Sequence, residues 1–238
     1  MQTDYITWTD GLLDNFALPM VDSTKDATTY LQKQKADFIW HTLYNFEKID
    51  ASFQQTKNII NGRKVKGVQY GDLLKIKEYA KGLDFIISLV DSNVFALSKH
   101  ILCCIHSCIA SQEVSREQLG KFRTWDVKLN QVKYRPPHPN LLDAIWQNFL
   151  EFSQLKNPLE QGIITFLNLA RVQFFYDNNK RTAMLYANAF LMSKNIRPFY
   201  IPAKDNEEFI ANLVDFYDTC LADKIILQLA SYAVEDQN

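Results

Sequence analysis

Two apolar segments separated by five polar residues constrain this chain more than any other feature of its sequence. Residues 158–176 are apolar on almost every side of a helical projection, and residues 182–193 are nearly as apolar. A helix without a polar face belongs in the centre of a protein. The polar residues between them are Asp177, Asn178, Asn179, Lys180 and Arg181. The pattern therefore predicts two core helices joined by a short polar connection.

Few residues elsewhere in the chain interrupt helices. Only 7 glycines and 7 prolines occur, and the intervals between them show apolar spacing close to the 3.6 residues of a helical turn. With 47% hydrophobic residues the chain can bury a substantial core. We therefore predict an all-α helical bundle with a short β-hairpin. The helices are expected at about Thr24–Ile49, Asp72–Leu89, Asn93–Ala110 and Leu141–Leu155, with Ser23, Asn140 and Asn157 as N-caps.

The predicted hairpin covers residues 124–135. Apolar side chains alternate with polar ones along both of its arms, at Trp125, Val127, Leu129, Val132 and Tyr134. Asn130-Gln131 would form the turn, although no glycine follows to fix its register. Three prolines at residues 136, 137 and 139 then end the second strand.

Charge and hydropathy exclude several classes of function. The 26 basic and 27 acidic residues nearly cancel, so no global positive field favours nucleic acid. Uncharged runs such as residues 182–193 are shorter than the roughly 20 apolar residues that span a bilayer, and no membrane segment is expected. The first residues lack the basic and apolar regions of a secretion signal, which predicts a cytoplasmic location.

The polar connection is the candidate site, because charges between core helices are costly unless they pair or bind a ligand. Asn178 or Asn179 would cap the second helix, where main-chain N–H groups can cradle phosphate oxygens. Arg181 can contact a phosphate through two nitrogens, and Asp177 is the kind of ligand that holds Mg²⁺ beside phosphates. The alternative is a capped surface loop with an Asp177–Arg181 salt bridge worth at most about 1 kcal/mol. The residues alone leave both interpretations open.

The connection also resembles the motif of the Fic (Fido) family, His-x-Phe-x-(Asp/Glu)-(Gly/Ala)-Asn-(Gly/Lys)-Arg. The matching residues are Phe175, Asp177, Asn179, Lys180 and Arg181. Two residues depart, since Gln173 stands at the histidine and Asn178 at the small residue. Upstream, Gly120-Lys-Phe-Arg123 and Tyr134-Arg-Pro-Pro137 are similar to sequences that enter and end the family's β-hairpin flap. The resemblance covers about residues 93–216.

The resemblance implies transfer of AMP, or another phosphate-containing group, from a nucleotide to a protein hydroxyl, with ATP and Mg²⁺ as cofactors. It implies that Asp177 coordinates Mg²⁺. It assigns phosphate binding to Asn178, Asn179, Lys180 and Arg181. The flap would hold a target protein as an added edge strand through the region of Val127, Leu129, Val132 and Tyr134.

The departure at Gln173 bears on mechanism. The family's histidine accepts the proton of the attacking hydroxyl, and an amide cannot do so. Losing a general base typically slows a reaction by about 10²–10⁴-fold, while positioning and charge stabilisation persist. His106, on an expected core helix, and His138, beyond the flap, do not replace it convincingly. We therefore expect impaired catalysis.

A second departure concerns an inhibitory helix that many family members carry, Ser-x-x-Ile-Glu-Gly-Asn. Residues 56–62 have a similar shape within a segment at about 52–62, but Ile60 stands at the glutamate. Its usual partner, a second arginine, corresponds to Met184. Because both members of a charge pair have become apolar, we predict that Ile60 contacts Met184.

These observations predict an N-terminal helical extension at residues 1–92 and a Fic-like core at residues 93–238. An impaired adenylyltransferase is the favoured function. A non-catalytic module that binds nucleotide or protein in the same groove is the first alternative. A helical scaffold that forms a homo-oligomer is the second, and it would require a large exposed apolar patch.

Overall fold

A computed structural model describes residues 5–130, 132–151 and 155–234 of the chain. The helices within these residues are α1 (Thr24–Lys33), α2 (Lys35–Glu47), α3 (Phe53–Ile60), α4 (Tyr70–Asp91), α5 (Lys99–Ile109), α6 (Leu142–Glu151), α7 (Pro158–Val172), α8 (Asn179–Ser193), α9 (Asn206–Thr219) and α10 (Asp223–Val234). Short 3₁₀ turns at Pro139–Leu141 and Ala203–Asp205 precede α6 and α9. The predicted all-α class is confirmed.

Helix α7 lies at the centre of the bundle. All its residues from Leu159 to Val172 are buried, as expected for a helix that is apolar on nearly every side. It packs against α8, which in turn packs against α4 and α5. Gly162 permits the close approach of α7 and α8, because a Cβ there would lie 2.5 Å from Leu191 Cδ2. The loop between α7 and α8 therefore joins two closely packed, buried helices.

Helix α4 joins the N-terminal helices to the rest of the bundle. It packs against α1, α2 and α3 on the N-terminal side and against α5 and α8 on the other. The boundary expected near residue 92 stays a prediction. Within the part of the chain that the structure describes, no helix has both the length and the apolar character needed to cross a membrane.

Several helix boundaries differ from the sequence prediction. The helix expected at residues 24–49 divides at Gln34, whose ψ of 12° bends the chain while the N–H of Phe38 still bonds to its carbonyl. The apolar segment expected to remain helical to Tyr176 stops at Val172, because Gln173 adopts the left-handed conformation. The His138 side chain, rather than Asn140, caps the turn that starts α6. Ser23 and Asn157 are N-caps, as predicted.

The paired strands predicted at residues 124–135 are not formed in the described part of this segment, from which Gln131 is excluded. The expected alternation is nevertheless present beyond the exposed Trp125, since Val127, Leu129, Val132 and Tyr134 are half-buried, whereas Asp126, Lys128, Asn130, Lys133 and Arg135 are exposed. The main-chain N–H groups of Lys133 and Tyr134 donate to Asp218 Oδ1 on α9, at 2.8 and 2.9 Å, and not to a facing strand. A side-chain carboxylate thus takes the place of a strand partner. We keep the name flap for residues 125–134.

Candidate functional site

The motif loop, residues 173–178, connects α7 to α8 through two left-handed residues. Gln173 has a φ of 57° and Asn178 a φ of 61°. Asparagine tolerates this region better than most residues, whereas glutamine seldom adopts it. The strained conformation at Gln173 ends α7, and the one at Asn178 starts α8. The loop therefore turns between the two most buried helices without a glycine.

The side chain of Gln173 is fully engaged in a buried amide network. Its Nε2 donates to the Ala170 carbonyl at 2.6 Å, and its Oε1 accepts from Asn179 Nδ2 at 3.0 Å. Asn179 also accepts from the Phe175 N–H and donates to the Phe175 carbonyl. These bonds satisfy the first half of the motif loop internally. They engage both ends of the Gln173 amide, which has no basic nitrogen that could accept a proton.

Arg123 connects the motif loop to both ends of the flap. Its buried guanidinium donates to three carbonyls, those of Gln173 at 2.7 Å, of Trp125 at 3.0 Å and of Pro137. Its main-chain N–H donates to the Phe174 carbonyl. The Gly-x-x-Arg sequence was expected to enter the flap. Gly120 has a φ of +66° and lies so close to Ser107 that a Cβ would meet Oγ at 2.1 Å.

Arg181 is buried and already paired with two carboxylates. Its Nη1 and Nη2 donate to the two Glu113 oxygens at 2.7 and 3.2 Å. Its Nε lies 2.9 Å from Glu47 Oε1, a charge contact without hydrogen-bond alignment. Lys75 completes the group, with Nζ at 3.1 Å from Glu47 and 3.7 Å from Glu113. Burial opposes the charge of Arg181, but Glu113 and Glu47 outweigh it and raise the pKa of Arg181.

The other polar residues of the connection are Asp177, Asn178 and Lys180. Asp177 is exposed and its Oδ1 accepts from the Asn178 N–H at 2.6 Å. Asn178 is only 2% exposed, yet neither its Nδ2 nor its Oδ1 has a hydrogen-bond partner within the described residues. Burial lowers the pKa of Lys180, although Glu47 and Asp177 oppose this shift. The second half of the motif loop therefore contains a buried amide that none of the described residues satisfies.

His106 supports the motif loop from α5. Its ring stacks on Phe175 with centroids 3.9 Å apart, and its Nδ1 accepts from the Gly120 N–H at 3.0 Å. Burial lowers its pKa to about 4, against an opposing effect of Asp177. This acceptor role occupies Nδ1, which agrees with the expectation that His106 does not replace the missing base. His138 is exposed, and its Nδ1 accepts from the Asn140 N–H.

The flap lies against the motif loop at one end and against α9 at the other. At the first end Trp125, 58% exposed, packs on Tyr176 with ring centroids 4.6 Å apart. The Tyr176 hydroxyl accepts from the Thr124 N–H at 2.7 Å. At the second end the Arg171 guanidinium lies 3.9 Å from the Tyr134 ring centroid. The flap is thus fixed on the protein next to the motif loop.

The predicted inhibitory pair lies in the same apolar core. Met184 is buried on α8, and Ile60 is half-buried at the end of α3 and packs against that core. Helix α3 packs against α2 and α4. A direct contact between Ile60 and Met184 stays a prediction.

Sequence reasoning singled out Gln173, Asp177, Asn178, Asn179, Lys180 and Arg181. The structure places the first three in the motif loop and the last three in the first turn of α8. It missed Glu47, Lys75 and Glu113, which pair with Arg181 or with each other. The available signal was general: a guanidinium expected between core helices requires carboxylate partners. Nothing in the local sequence specifies which carboxylates these are.

Comparisons with known proteins agree with this architecture. The sequence model of the Fic/DOC family matches residues 96–191. A Fic domain containing signaling protein from Bacteroides thetaiotaomicron is 16% identical, with a TM-score of 0.75 over 91% of this chain and 88% of that one. A Fic family protein from Desulfovibrio desulfuricans is 15% identical, with a TM-score of 0.69 over 98% and 75% of the two chains.

Fic-1 from C. elegans is 18% identical, with a TM-score of 0.71 over 88% of this chain. The chain spans 66% of that structure, about two thirds of its length. At these identities the solved structures show a shared fold, and the family match adds the sequence evidence. The chain is thus similar to the Fic/DOC family over residues 96–191, and its helices adopt the Fic fold.

Proposed function

We propose that this chain is a Fic-type protein of the adenylyltransferase class that binds Mg²⁺-ATP at the start of α8 and transfers AMP poorly. The observation that carries the proposal is the pair of unsatisfied amide atoms of Asn178, buried at the N-terminus of a 15-residue core helix. Buried polar atoms normally have partners, and a phosphate oxygen and its water shell would supply them. The helix N-terminus adds favourable dipoles for an anion.

The residues around Asn178 fit a magnesium nucleotide. Asp177 is exposed, and its Oδ2 forms no hydrogen bond within the described residues, so it is free to serve as a ligand. Mg²⁺ is commonly held by one or two carboxylates together with substrate phosphates, and a bound ion would neutralise phosphate charge. Lys180 follows on the first turn of α8 and supplies a cation, whose Nζ lies 5.9 Å from the Phe46 ring centroid. Asp177, Asn178, Asn179 and Lys180 would therefore hold the ion and the phosphates.

Gln173 supports the second part of the proposal, poor transfer. The hydroxyl of a target must lose a proton as it attacks, and the amide of Gln173 is neutral and bonded to Ala170 and Asn179. Positioning of the two reactants can still accelerate the reaction in the absence of a base. We therefore expect slow AMP transfer rather than none.

The flap supports docking of a protein target. No main-chain hydrogen bond within the described residues involves positions 127–130, while the opposite arm is held by Asp218. A free arm fixed beside the site can accept an extended peptide as an added strand. The exposed ring of Trp125 would pack on the residue nearest the motif loop.

The AMP-transfer activity of Gln173→His tests this proposal. With labelled ATP, Mg²⁺ and a mixture of protein acceptors, Gln173→His should label acceptors about 10²–10⁴ times faster than the wild type. Gln173→Asn is the matched control, because it keeps an amide and should not gain activity. Adding Asp177→Asn to Gln173→His should abolish the gain. If Gln173→His labels no faster than Gln173→Asn, the loop is no longer catalytic.

A second candidate, a non-catalytic module, is favoured by the ion pairs of Arg181. A guanidinium that already contacts two carboxylates is not available to a phosphate chain. Calorimetric titration with Mg²⁺-ATP tests the form of this module that recognises protein alone. Binding that is lost in Asp177→Asn supports the nucleotide site, while identical absence of binding in both proteins supports a module that recognises protein alone.

A further inference from the structure

A cavity of about 230 Å³ lies at the end of α8 that is remote from the motif loop. Its walls come from residues 95–97, which connect α4 to α5, from the first turn of α7 and from the last turn of α8. The 15 residues of α8 separate this end from the motif loop by about 20 Å, at about 1.5 Å per residue. The cavity, which we call the distal cavity, is therefore separate from the nucleotide site proposed above.

The amide of Gln161 forms a polar part of the wall of the distal cavity. Gln161 is only 7% exposed. Its main-chain N–H donates to the Asn157 carbonyl, but its side chain has no hydrogen-bond partner within the part of the chain that the structure describes. Buried amides normally have partners for the oxygen and for the N–H groups. A ligand that itself contains an amide can supply both kinds of partner.

The apolar part of the wall is formed by Phe95, Leu97 and Phe190. Phe190 is buried on α8, and the other two side chains are half-buried and pack against the core. The ring of Phe95 lies edge-on to Tyr186, with centroids 5.7 Å apart. A cavity of roughly 150 Å³ holds a benzene ring, so the distal cavity has room for one apolar side chain and a polar group beside it.

Lys194 places a positive charge at the rim of the distal cavity. Its Nζ lies 5.7 Å from the Phe190 ring centroid, and none of the described carboxylates pairs with it. The carbonyls that end a helix oppose a bound anion, but those of Phe190 and Leu191 already accept from the Ser193 hydroxyl and the Lys194 N–H. The exposed rim therefore favours a negatively charged group.

We propose that the distal cavity binds the C-terminal residue of a partner protein. The apolar side chain of that residue would pack against Phe95 and Phe190, its peptide group would bond to Gln161, and its carboxylate would pair with Lys194. An apolar side chain, an amide and a free carboxylate occur together at a peptide C-terminus, and proteins recognise such termini in several folds. The inference goes beyond the proposed function, because this site requires neither a nucleotide nor the flap.

Titration with N-acetyl-L-phenylalanine, followed by NMR, tests the proposal directly, because this probe combines the three groups of a peptide C-terminus. It should shift the side-chain amide signal of Gln161 with a dissociation constant of about 1 mM, as expected for a ligand of this size. Gln161→Leu identifies that signal by its absence, and it should weaken binding about tenfold. N-acetyl-L-phenylalaninamide lacks the carboxylate and should bind about threefold more weakly than the acid.

Two lysine variants and one filling variant complete the test. Lys194→Ala should weaken binding of the acid about threefold, whereas Lys64→Ala, at an exposed lysine outside the cavity, should bind like the wild type. Ala96→Trp fills the cavity from an exposed position and should abolish the shift of the Gln161 signal.

An unchanged Gln161 signal at probe concentrations well above 1 mM would overturn the proposal. Equal affinities of the wild type and Lys194→Ala for the acid would overturn it as well, because the carboxylate would then not be recognised. If Gln161→Leu does not fold by circular dichroism, Ala96→Trp provides the same comparison, and binding that persists in Ala96→Trp would place the probe elsewhere on the protein.

Discussion

The two ends of the motif loop differ in how their polar groups are satisfied. At the Gln173 end, the amides of Gln173 and Asn179 bond to each other and to main-chain carbonyls, and Arg123 fixes the backbone. At the Asn178 end, a buried amide has no partner within the described residues and a carboxylate is exposed. The contrast supports our proposal that the Gln173 end has a structural role, whereas the Asn178 end keeps unsatisfied groups suited to a phosphate ligand.

Loss of the Arg123 side chain should have the largest effect on stability, because its guanidinium donates hydrogen bonds to carbonyls of the motif loop and the flap. Arg123→Ala leaves three carbonyls, two of them in buried hydrogen bonds, without their donor and creates a cavity, so we expect a loss of about 3 kcal/mol or more in the free energy of unfolding. Chemical denaturation measures this loss. Arg116→Ala, an exposed arginine of the preceding segment, should change stability little. Similar losses in the two variants would contradict the structural role.

Substitutions at the two ends of the loop should change stability in opposite directions. Gln173→Ala removes satisfied hydrogen bonds at a positive φ and should cost about 2 kcal/mol. Asn178→Gly removes an unsatisfied amide and relieves its positive φ, so it should stabilise the free protein by about 1 kcal/mol. Thermal denaturation of both variants measures the difference. A loss in Asn178→Gly as large as that in Gln173→Ala would show that the two ends are alike.

Acidification should lower the free energy of unfolding through His106, whose ring stacks on Phe175 in the motif loop. The pKa of His106 is about 4 in the folded protein, below the ordinary value of 6.5. The unfolded chain therefore takes up the proton first, and stability falls as the pH drops from 6.5 towards 4, by up to about 1.4 kcal/mol per pH unit. His41, whose pKa burial lowers to about 4, contributes in the same direction. Urea denaturation between pH 7 and 5 measures the slope.

His106→Gln should reduce this slope, while His138→Gln, at an exposed histidine, should leave it unchanged. A slope that is the same in His106→Gln as in the wild type would place the acid sensitivity elsewhere in the protein.

The core helices and the motif loop were predictable because their signals are local. Apolar residues around the whole of α7 specify a buried helix, and Asn157-Pro158 specifies its start. The end of α7 at Val172 was not predictable from periodicity, since the apolar pattern continues while the backbone turns at Gln173. Contacts with Asn179 and Arg123 select that turn, and both partners come from other elements of the fold.

The partners of Arg181 and the unpaired flap were not predictable for the same reason. Glu113 lies 68 residues from Arg181 in sequence, and no spacing rule connects them. In the flap, alternation correctly predicted that Val127, Leu129, Val132 and Tyr134 turn inward, but it was wrong for Trp125, which is exposed. It also could not show that Asp218, 85 residues after Lys133, would take the main-chain donors. The spacing of apolar residues predicts which side of a helix or strand is buried. The hydrogen-bond partners of that helix or strand depend on the tertiary structure.

We propose that phosphate binding and the position of the family's general base lie at opposite ends of the motif loop. Calorimetric titration of Mg²⁺-ATP into the wild type and into Gln173→His is the sharpest test, because only the Gln173 end changes. We predict dissociation constants that agree within about twofold, since the proposed phosphate contacts lie at the other end of the loop. Binding that appears only in Gln173→His, or in neither protein, would disprove this separation.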